Sequence, residues 1–375
     1  MTAQVRFDNG PIAGGTLFAD PLDLIRAYTP DEVPAALARI EAAQADGRWL
    51  AGYFSYELGH VLTRKLAGLL PQDRAMPLIL MGVFDAPQPA SDLPGTEGVT
   101  ISEAQPLWSR ARYDRAIAAV HRYIEAGDCY QINLTFPMEV TVTGDPLAIY
   151  AALAGRQQVG EGAFVDLGGP VVLSRSPELF FAVDADRQIL TRPMKGTMPR
   201  GGSPDEDRRN AKALAASEKN RAENLMIVDL LRNDISRICH PGTVRVPHLF
   251  QIEPYETIFQ MTSTVTGSLQ DGVGLSAILR ALFPCGSITG APKIRAMEII
   301  AELETRARDI YCGAIGWIDP AGPMRFSVAI RSPVLAAPDR LQLQVGGGIV
   351  HDSETGSEWE EALCKAAFLN PSPRG

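Results

Sequence analysis

Residues 129–136 read Cys-Tyr-Gln-Ile-Asn-Leu-Thr-Phe, with the apolar Tyr130, Ile132, Leu134 and Phe136 alternating with Cys129, Gln131, Asn133 and Thr135. A period of two is that of a strand, because successive side chains leave opposite faces. Gln131 therefore stands on the polar face, and the spacing fits a solvent-facing edge as well as it fits a cleft. Just upstream, Ser109 is placed to cap a helix whose Tyr113, Ile117, Val120 and Ile124 share one stripe, and Gly127 supplies its stop.

Toward the N-terminus, residues 30–45 have helical spacing, and 49–58 and 77–84 are expected strands. Residues 86–98, rich in Pro, Ser, Asp and Gly, are the expected linker. The division that follows is an N-terminal region, 1–95, contributing to the fold, and a region 100–370 carrying the chemistry.

Toward the C-terminus, extended runs at 171–174 and 179–183 flank Arg175-Ser176-Pro177-Glu178 and leave Glu178 at a break. Residues 191–200 read Thr-Arg-Pro-Met-Lys-Gly-Thr-Met-Pro-Arg, a turn in which Lys195 lies between Arg192 and Arg200. A free lysine titrates at about 10.4, so at neutral pH roughly one copy in a thousand or fewer is amine. Neighbouring arginine charge or burial favours the neutral, nucleophilic form; a solvated basic loop is the plainer reading. Ser203-Pro-Asp-Glu206 is a helix start with its own cap. After Ser217 a second helix is expected to carry Leu225, Val228, Leu231 and Ile235 toward a core, with Glu223 close to that face. A carboxylate drawn inward needs a partner or a cation.

Residues 242–267 contain short β-prone runs. Phe-Pro-Cys-Gly-Ser-Ile-Thr-Gly-Ala-Pro-Lys, 283–293, is a glycine-rich approach to a helix whose free amides can hold an anion, without the Gly-Lys-Ser/Thr end of a phosphate loop. Strands are expected at 311–318, 325–331 and 341–345, the last meeting Gly346-Gly347-Gly348, where backbone can approach a ligand or simply turn. In the final helix Ser357 is the expected cap, with Glu360 completing the capping box. Glu358, Glu361 and Lys365 share a stripe that either carries an exposed ion pair or faces a cation.

With 375 residues, 46% hydrophobic and 21% charged, the chain has enough material for one large or two medium domains. A formal net charge of -9 argues against a general nucleic-acid binder, so an anionic ligand must be caught by local positive groups. No apolar run approaches membrane-spanning length. Five scattered cysteines without metal-site spacing, and no leader pattern, lead to the expectation of a cytoplasmic protein with free thiols.

Taken together, Gly127-Asp-Cys-Tyr-Gln-Ile-Asn-Leu, Ser174-Arg-Ser-Pro-Glu, Arg192-Pro-Met-Lys-Gly-Thr, Ala222-Glu-Asn-Leu-Met-Ile-Val-Asp-Leu-Leu-Arg-Asn-Asp, Gly286-Ser-Ile-Thr-Gly-Ala-Pro-Lys and Gly346-Gly-Gly-Ile resemble the chorismate-utilising enzymes. The resemblance covers nearly all of 105–365; before residue 100 only Gly52-Tyr-Phe-Ser-Tyr-Glu-Leu-Gly is characteristic. The fold it implies is α+β, two large facing antiparallel β-sheets with outer helices and the site deep between them. It implies chorismate as substrate and Mg2+ as cofactor, with Glu223 and Glu361 matching the metal ligands and Glu358 near enough to hold a metal-bound water. Arg331, Tyr311, Thr197 and Ser287 match substrate-binding positions, as do Lys365 and the amides around Gly196 and Gly348. Lys195 selects the aminodeoxychorismate synthase branch, which uses it as a nucleophile where anthranilate synthases carry alanine. Glu178 matches the general acid/base of that branch. Gln131 stands where water-adding relatives carry a lysine base. Ammonia, supplied by a glutamine amidotransferase subunit, is the implied second substrate. Gln260 replaces a histidine found in many members, and Asn220 stands where an acidic residue often supports the metal. Anthranilate synthase component I and a noncatalytic chorismate-binding subunit are the alternatives.

Overall fold

The alternation at 129–136 opens a long strand, Gln131–Thr143, in a computed structural model that describes residues 3–255 and 258–370. This strand pairs with Arg340–Ile349 without interruption, from Ile132 opposite Ile349 to Thr141 opposite Arg340. Its apolar set packs under helices: Trp359 stacks on Phe136 at 4.7 Å between centroids, and Tyr113 meets both rings edge-on. The strand starts two residues later than the alternation at 129–136, so Tyr130 lies ahead of the sheet and is 71% exposed. Gln131, Asn133 and Thr135 are all buried, which makes the polar face a cleft wall and not a solvent edge.

Among the described residues, one antiparallel sheet has eleven strands and the other ten. Inner faces meet through Val5, Phe18 and Val165 of the first sheet and Tyr53, Leu80 and Ile315 of the second. Outer faces are covered by helices: Arg110–Glu125, Pro146–Arg156 and Thr355–Cys364 on the first, Val33–Ala45, Glu218–Ser236 and Leu275–Leu282 on the second. The fold is therefore α+β, with two large facing antiparallel sheets and outer helices.

The N-terminal strands are shared out. Gln4–Phe7 and Thr16–Ala19 extend the first sheet, while Asp23–Ala27, Trp49–Phe54 and Ile79–Phe84 extend the second. Gln88–Pro89, inside the linker-like stretch, pairs with Thr16 and Leu17. The strand expected over 49–58 ends at Phe54, and a short helix, Leu58–Leu62, follows. In Glu218–Ser236, Val228, Leu231 and Ile235 are buried, but Leu225 is 44% exposed. At that turn Asn224 faces the sheet instead, accepting from Ser263 Oγ at 2.5 Å, so a polar contact replaces the apolar one. Gly346-Gly347-Gly348 lie within the Arg340–Ile349 strand and not beyond it. The last helix begins at Thr355, leaving Ser357 inside it and Glu354 at the cap position.

Two chain crossings between the sheets decide where the chemistry sits. Val171–Ser176 belongs to the first sheet and Leu179–Val183 to the second, with Pro177-Glu178 between them. Met324–Val328 and Val334–Ala337 make the return crossing through Arg331. The crossings are bonded side by side: Arg175 N donates to Arg331 O at 2.9 Å, Val328 N to Glu178 O at 3.0 Å, and Ser176 Oγ to Val328 O at 2.6 Å. Glu178 and Arg331 consequently reach the inter-sheet space at one place. Arg331 adopts φ 50°, a left-handed conformation rarely taken by a residue with a side chain, and the paired crossing holds it there.

Candidate active site

Lys195 lies on a strand, Met194–Pro199, and not in a turn. Met194 pairs with Thr262 and Thr197 with Gln260, with a register shift between them at Lys195-Gly196. Gly196 takes φ 89° at this bulge, where an added Cβ would also stand 3.0 Å from Asn220. Gln260 braces the bulge: its Nε2 donates to Gly196 O at 2.9 Å, and its Oε1 accepts from Thr197 Oγ1 at 3.0 Å. The arginines expected to act on Lys195 are engaged elsewhere, Arg192 with Glu253 and Arg200 with Asp207. Burial instead holds the Lys195 amine below its ordinary value; Lys365 adds to this, while Glu223, Glu178 and Glu361 oppose it.

Glu178 is buried, and its Oε1 accepts from Ser287 Oγ at 2.7 Å. Burial pushes its carboxyl up to about 7, against Ser287, Lys195, the Met194 amide and Arg331, which all pull downward. Near neutral pH the group is thus available as acid and as base. Burial also lowers the Arg331 guanidinium from its usual value, with Glu178 opposing. Tyr311, 7% exposed, packs at the end of the loop before Ala314–Ile318.

Opposite Lys195, on the first sheet, Gln131 is fully buried and neither its Oε1 nor its Nε2 has a partner. A Cβ on Gly348 would lie 2.9 Å from Gln131 Nε2 and 3.2 Å from Lys195 Nζ. The missing side chain therefore lets the Gly348 backbone stand closer to the unpartnered amide and the lysine amine than a Cβ would allow. Buried polar groups are rarely left unsatisfied, so the Gln131 amide is suited to a hydrogen-bonding ligand.

One residue along, a Cβ on Gly347 would lie 3.1 Å from Glu358 Oε2, 3.6 Å from Lys365 Nζ and 3.9 Å from Glu361 Oε1. Lys365 Nζ donates to Gly346 O at 2.7 Å and pairs with Glu361 at 2.9 Å, while Glu358 accepts from Ser353 Oγ at 2.6 Å. Lys365 holds the Glu361 carboxyl below the usual range. Glu223 approaches from the other wall; burial raises its carboxyl, and the like charges of Glu358 and Glu361 add to this. Hard carboxylate oxygens of this kind suit magnesium. Among the described residues no three His, Cys, Asp or Glu side chains stand at ligating spacing, and Glu361 leans on the Lys365 ammonium.

Sequence reasoning missed Glu304 and Arg308. Arg308, 2% exposed, donates to Asn133 O at 2.7 Å and pairs with Glu304 at 2.7 Å, and Glu304 accepts from Thr135 N at 2.8 Å. The pair braces the strand that carries Gln131. Its only signal was opposite charge at a spacing of four, which ordinarily marks a surface ion pair.

A family model described as chorismate binding enzyme matches residues 7–371. The chain is 38% identical to aminodeoxychorismate synthase component 1 of Escherichia coli over 339 residues, covering 84% of this chain and 74% of that one. Its counterpart in Salmonella typhimurium is 44% identical over 264 residues, 70% of this chain, and that match spans only 58% of the relative. Among solved structures, anthranilate synthase component I from Streptococcus pneumoniae superposes with a TM-score of 0.79 at 24% identity, covering 94% of this chain and 91% of that one. That likeness concerns the fold. With sheets, crossings and a match running nearly end to end, the chain belongs to the chorismate binding enzyme family.

Proposed function

We propose that the protein converts chorismate and ammonia to 4-amino-4-deoxychorismate, the reaction of aminodeoxychorismate synthase component I, on the route to p-aminobenzoate and folate. The observation that carries this reading is the placement of the Lys195 amine, depressed by burial, beside the Gly348 backbone and the unpartnered Gln131 amide and within the electrostatic reach of Glu178. The names of the relatives at 38% and 44% identity support it.

In the proposed sequence the neutral Lys195 amine attacks C2 of chorismate as the C4–O bond breaks. Hydroxide is a poor leaving group, so the protonated Glu178 carboxyl gives it a proton and it departs as water. The lysine nitrogen, now bonded to C2, returns a proton to Glu178. Ammonia then bonds to C4, the C2–N bond breaks, and the proton lost by the incoming nitrogen ends on the lysine amine. Arg331 and Lys365 neutralise substrate carboxylates, Arg331 with the directional geometry of a guanidinium. Gln131, Tyr311, Ser287, Thr197 and the amides at Gly196 and Gly348 supply hydrogen bonds that orient the ring.

Glu223 and Glu361 would hold Mg2+, with Glu358 on a bound water, and the ion would supply charge neutralisation for a substrate carboxylate. A glutamine amidotransferase subunit would deliver the ammonia. Anthranilate synthase component I is the second reading, favoured by relatives of that name at 37% and 39% identity and opposed by Lys195. Purified protein given chorismate, magnesium chloride and ammonium chloride is expected to form the aminated product. Anthranilate with release of pyruvate would contradict the proposal.

A further inference from the structure

Gln260 lies on the strand Ile258–Ser268, opposite Thr197 on one side and Glu253 on the other, so the three side chains stand in a row on one face of the sheet. Glu253 is taken up by Arg192, by Thr262 Oγ1 at 2.7 Å and by Tyr255 Oη at 3.3 Å. Gln260 takes no part in that set. Both hydrogen bonds that its side chain makes among the described residues go the other way, to Gly196 O at 2.9 Å and Thr197 Oγ1 at 3.0 Å, at the bulge next to Lys195.

The orientation of the amide follows from its partners. A backbone carbonyl can only accept, so the Gln260 NH2 group must face Gly196 O, and Oε1 then faces Thr197. An amide oxygen also can only accept, so the Thr197 hydroxyl donates and its proton is committed to Gln260. A bulge leaves its extra residue without a ladder partner, and here a side chain supplies one. Asn220, on the helix Glu218–Ser236, packs against the same residue, where an added Cβ on Gly196 would meet its Cβ and Cγ at 3.0 Å. The Lys195-Gly196 peptide is thus held by a helix and an amide, in a strand that has no second strand on its other edge among the described residues.

We propose that Gln260 is a positioning residue for the Lys195 amine, its paired donor and acceptor fixing the bulge from which the lysine reaches the ring. The inference rests on the reading of Lys195 as the nucleophile. Bond formation between the lysine nitrogen and a ring carbon requires approach along a narrow line, and a displacement of about 1 Å can cost about 100-fold in rate. Gln260 acts through the backbone of the next residue, so it governs the step in which Lys195 bonds to the ring. Chorismate binding, assigned above to Arg331 and Lys365, does not depend on it.

The quantity to measure is the first-order rate constant for the gain of mass on Lys195 when the protein is mixed with chorismate and magnesium chloride at about pH 8 without ammonia. That constant does not depend on the fraction of folded protein, which is what a purely structural loss would lower. Gln260→Met keeps the length and removes the amide. It is expected to reduce the rate constant at saturating chorismate by about 10- to 100-fold and to leave the half-saturating chorismate concentration within about twofold. Gln260→Ala carries the same test if the methionine variant does not fold. Gln260→His, whose neutral imidazole has one donor and one acceptor, is expected to recover to within about threefold of the unaltered protein. A rate constant in Gln260→Met within about twofold of the unaltered protein overturns the proposal. So does a loss confined to the half-saturating concentration, which would make Gln260 a substrate-binding group, and so does a histidine variant as slow as the methionine one. If the unaltered protein gains no mass on Lys195, the nucleophile reading fails and the positioning role with it; adducts formed equally fast by both proteins keep that reading and remove the role of Gln260 alone.

Discussion

The two walls of the site are built differently. On one side Gln131–Thr143 and Arg340–Ile349 pair without a bulge, buried and locked under Trp359, Phe136 and Tyr113. On the other, Met194–Pro199 pairs with Ile258–Ser268 alone, carries a bulge at Lys195-Gly196, and is half-exposed along its length. The first wall presents fixed groups, the Gln131 amide and the Gly348 backbone. The second presents the amine that, on the proposed route, approaches a ring carbon, forms a bond and withdraws. The contrast fits the proposed route, in which a rigid wall orients the ring and a looser one reacts with it.

Four changes would break or sharpen it. Lys195→Ala removes the nucleophile from the loose wall, and ammonia-dependent amination is expected to fall by roughly 10^4-fold or more in steady-state assays. Phe136→Ala strikes the rigid wall: the ring is fully buried in an aromatic cluster, and its loss should cost about 3–5 kcal/mol in urea unfolding. Were that cost below about 1 kcal/mol, the contrast between the walls would lose its physical basis.

Glu178→Gln keeps the shape and removes the acid, for a loss of about 10^2 to 10^4 in rate. In the unaltered protein the proposed donor is the protonated carboxyl, which burial pushes up to about 7, so the rate should decline as pH rises through that value. The glutamine variant should lack that limb. Gly348→Ala presses a methyl group against the Gln131 and Lys195 side chains and is expected to reduce kcat/KM for chorismate by about 10- to 100-fold, with a small change in melting temperature.

The rigid wall was legible in the sequence because a period of two survives in Ile132, Leu134 and Phe136, and the helix before it showed its cap and stripe. The loose wall was not. Prolines and glycines in 191–200 read as a turn, because a bulged strand uses the same residues as a loop and only the pairing with Thr262 and Gln260 tells them apart. Arg192 and Arg200 suggested themselves as the neighbours of Lys195 by sequence proximity, yet partners distant in sequence or on the next helix took them up. The meeting of Glu178 with Arg331 depends on two crossings more than 150 residues apart in the chain, which no local pattern encodes. Glu304 and Arg308 were hidden because a buried ion pair and a surface one have the same spacing.

The central claim is that Lys195 bonds to the ring. The most direct test is the intact mass of the protein after incubation with chorismate and magnesium chloride in the absence of ammonia. The account predicts a species heavier by chorismate less one water, mapped to Lys195, absent from Lys195→Ala and discharged on adding ammonium chloride. Full ammonia-dependent amination by Lys195→Ala, with no adduct on the unaltered protein, would contradict it.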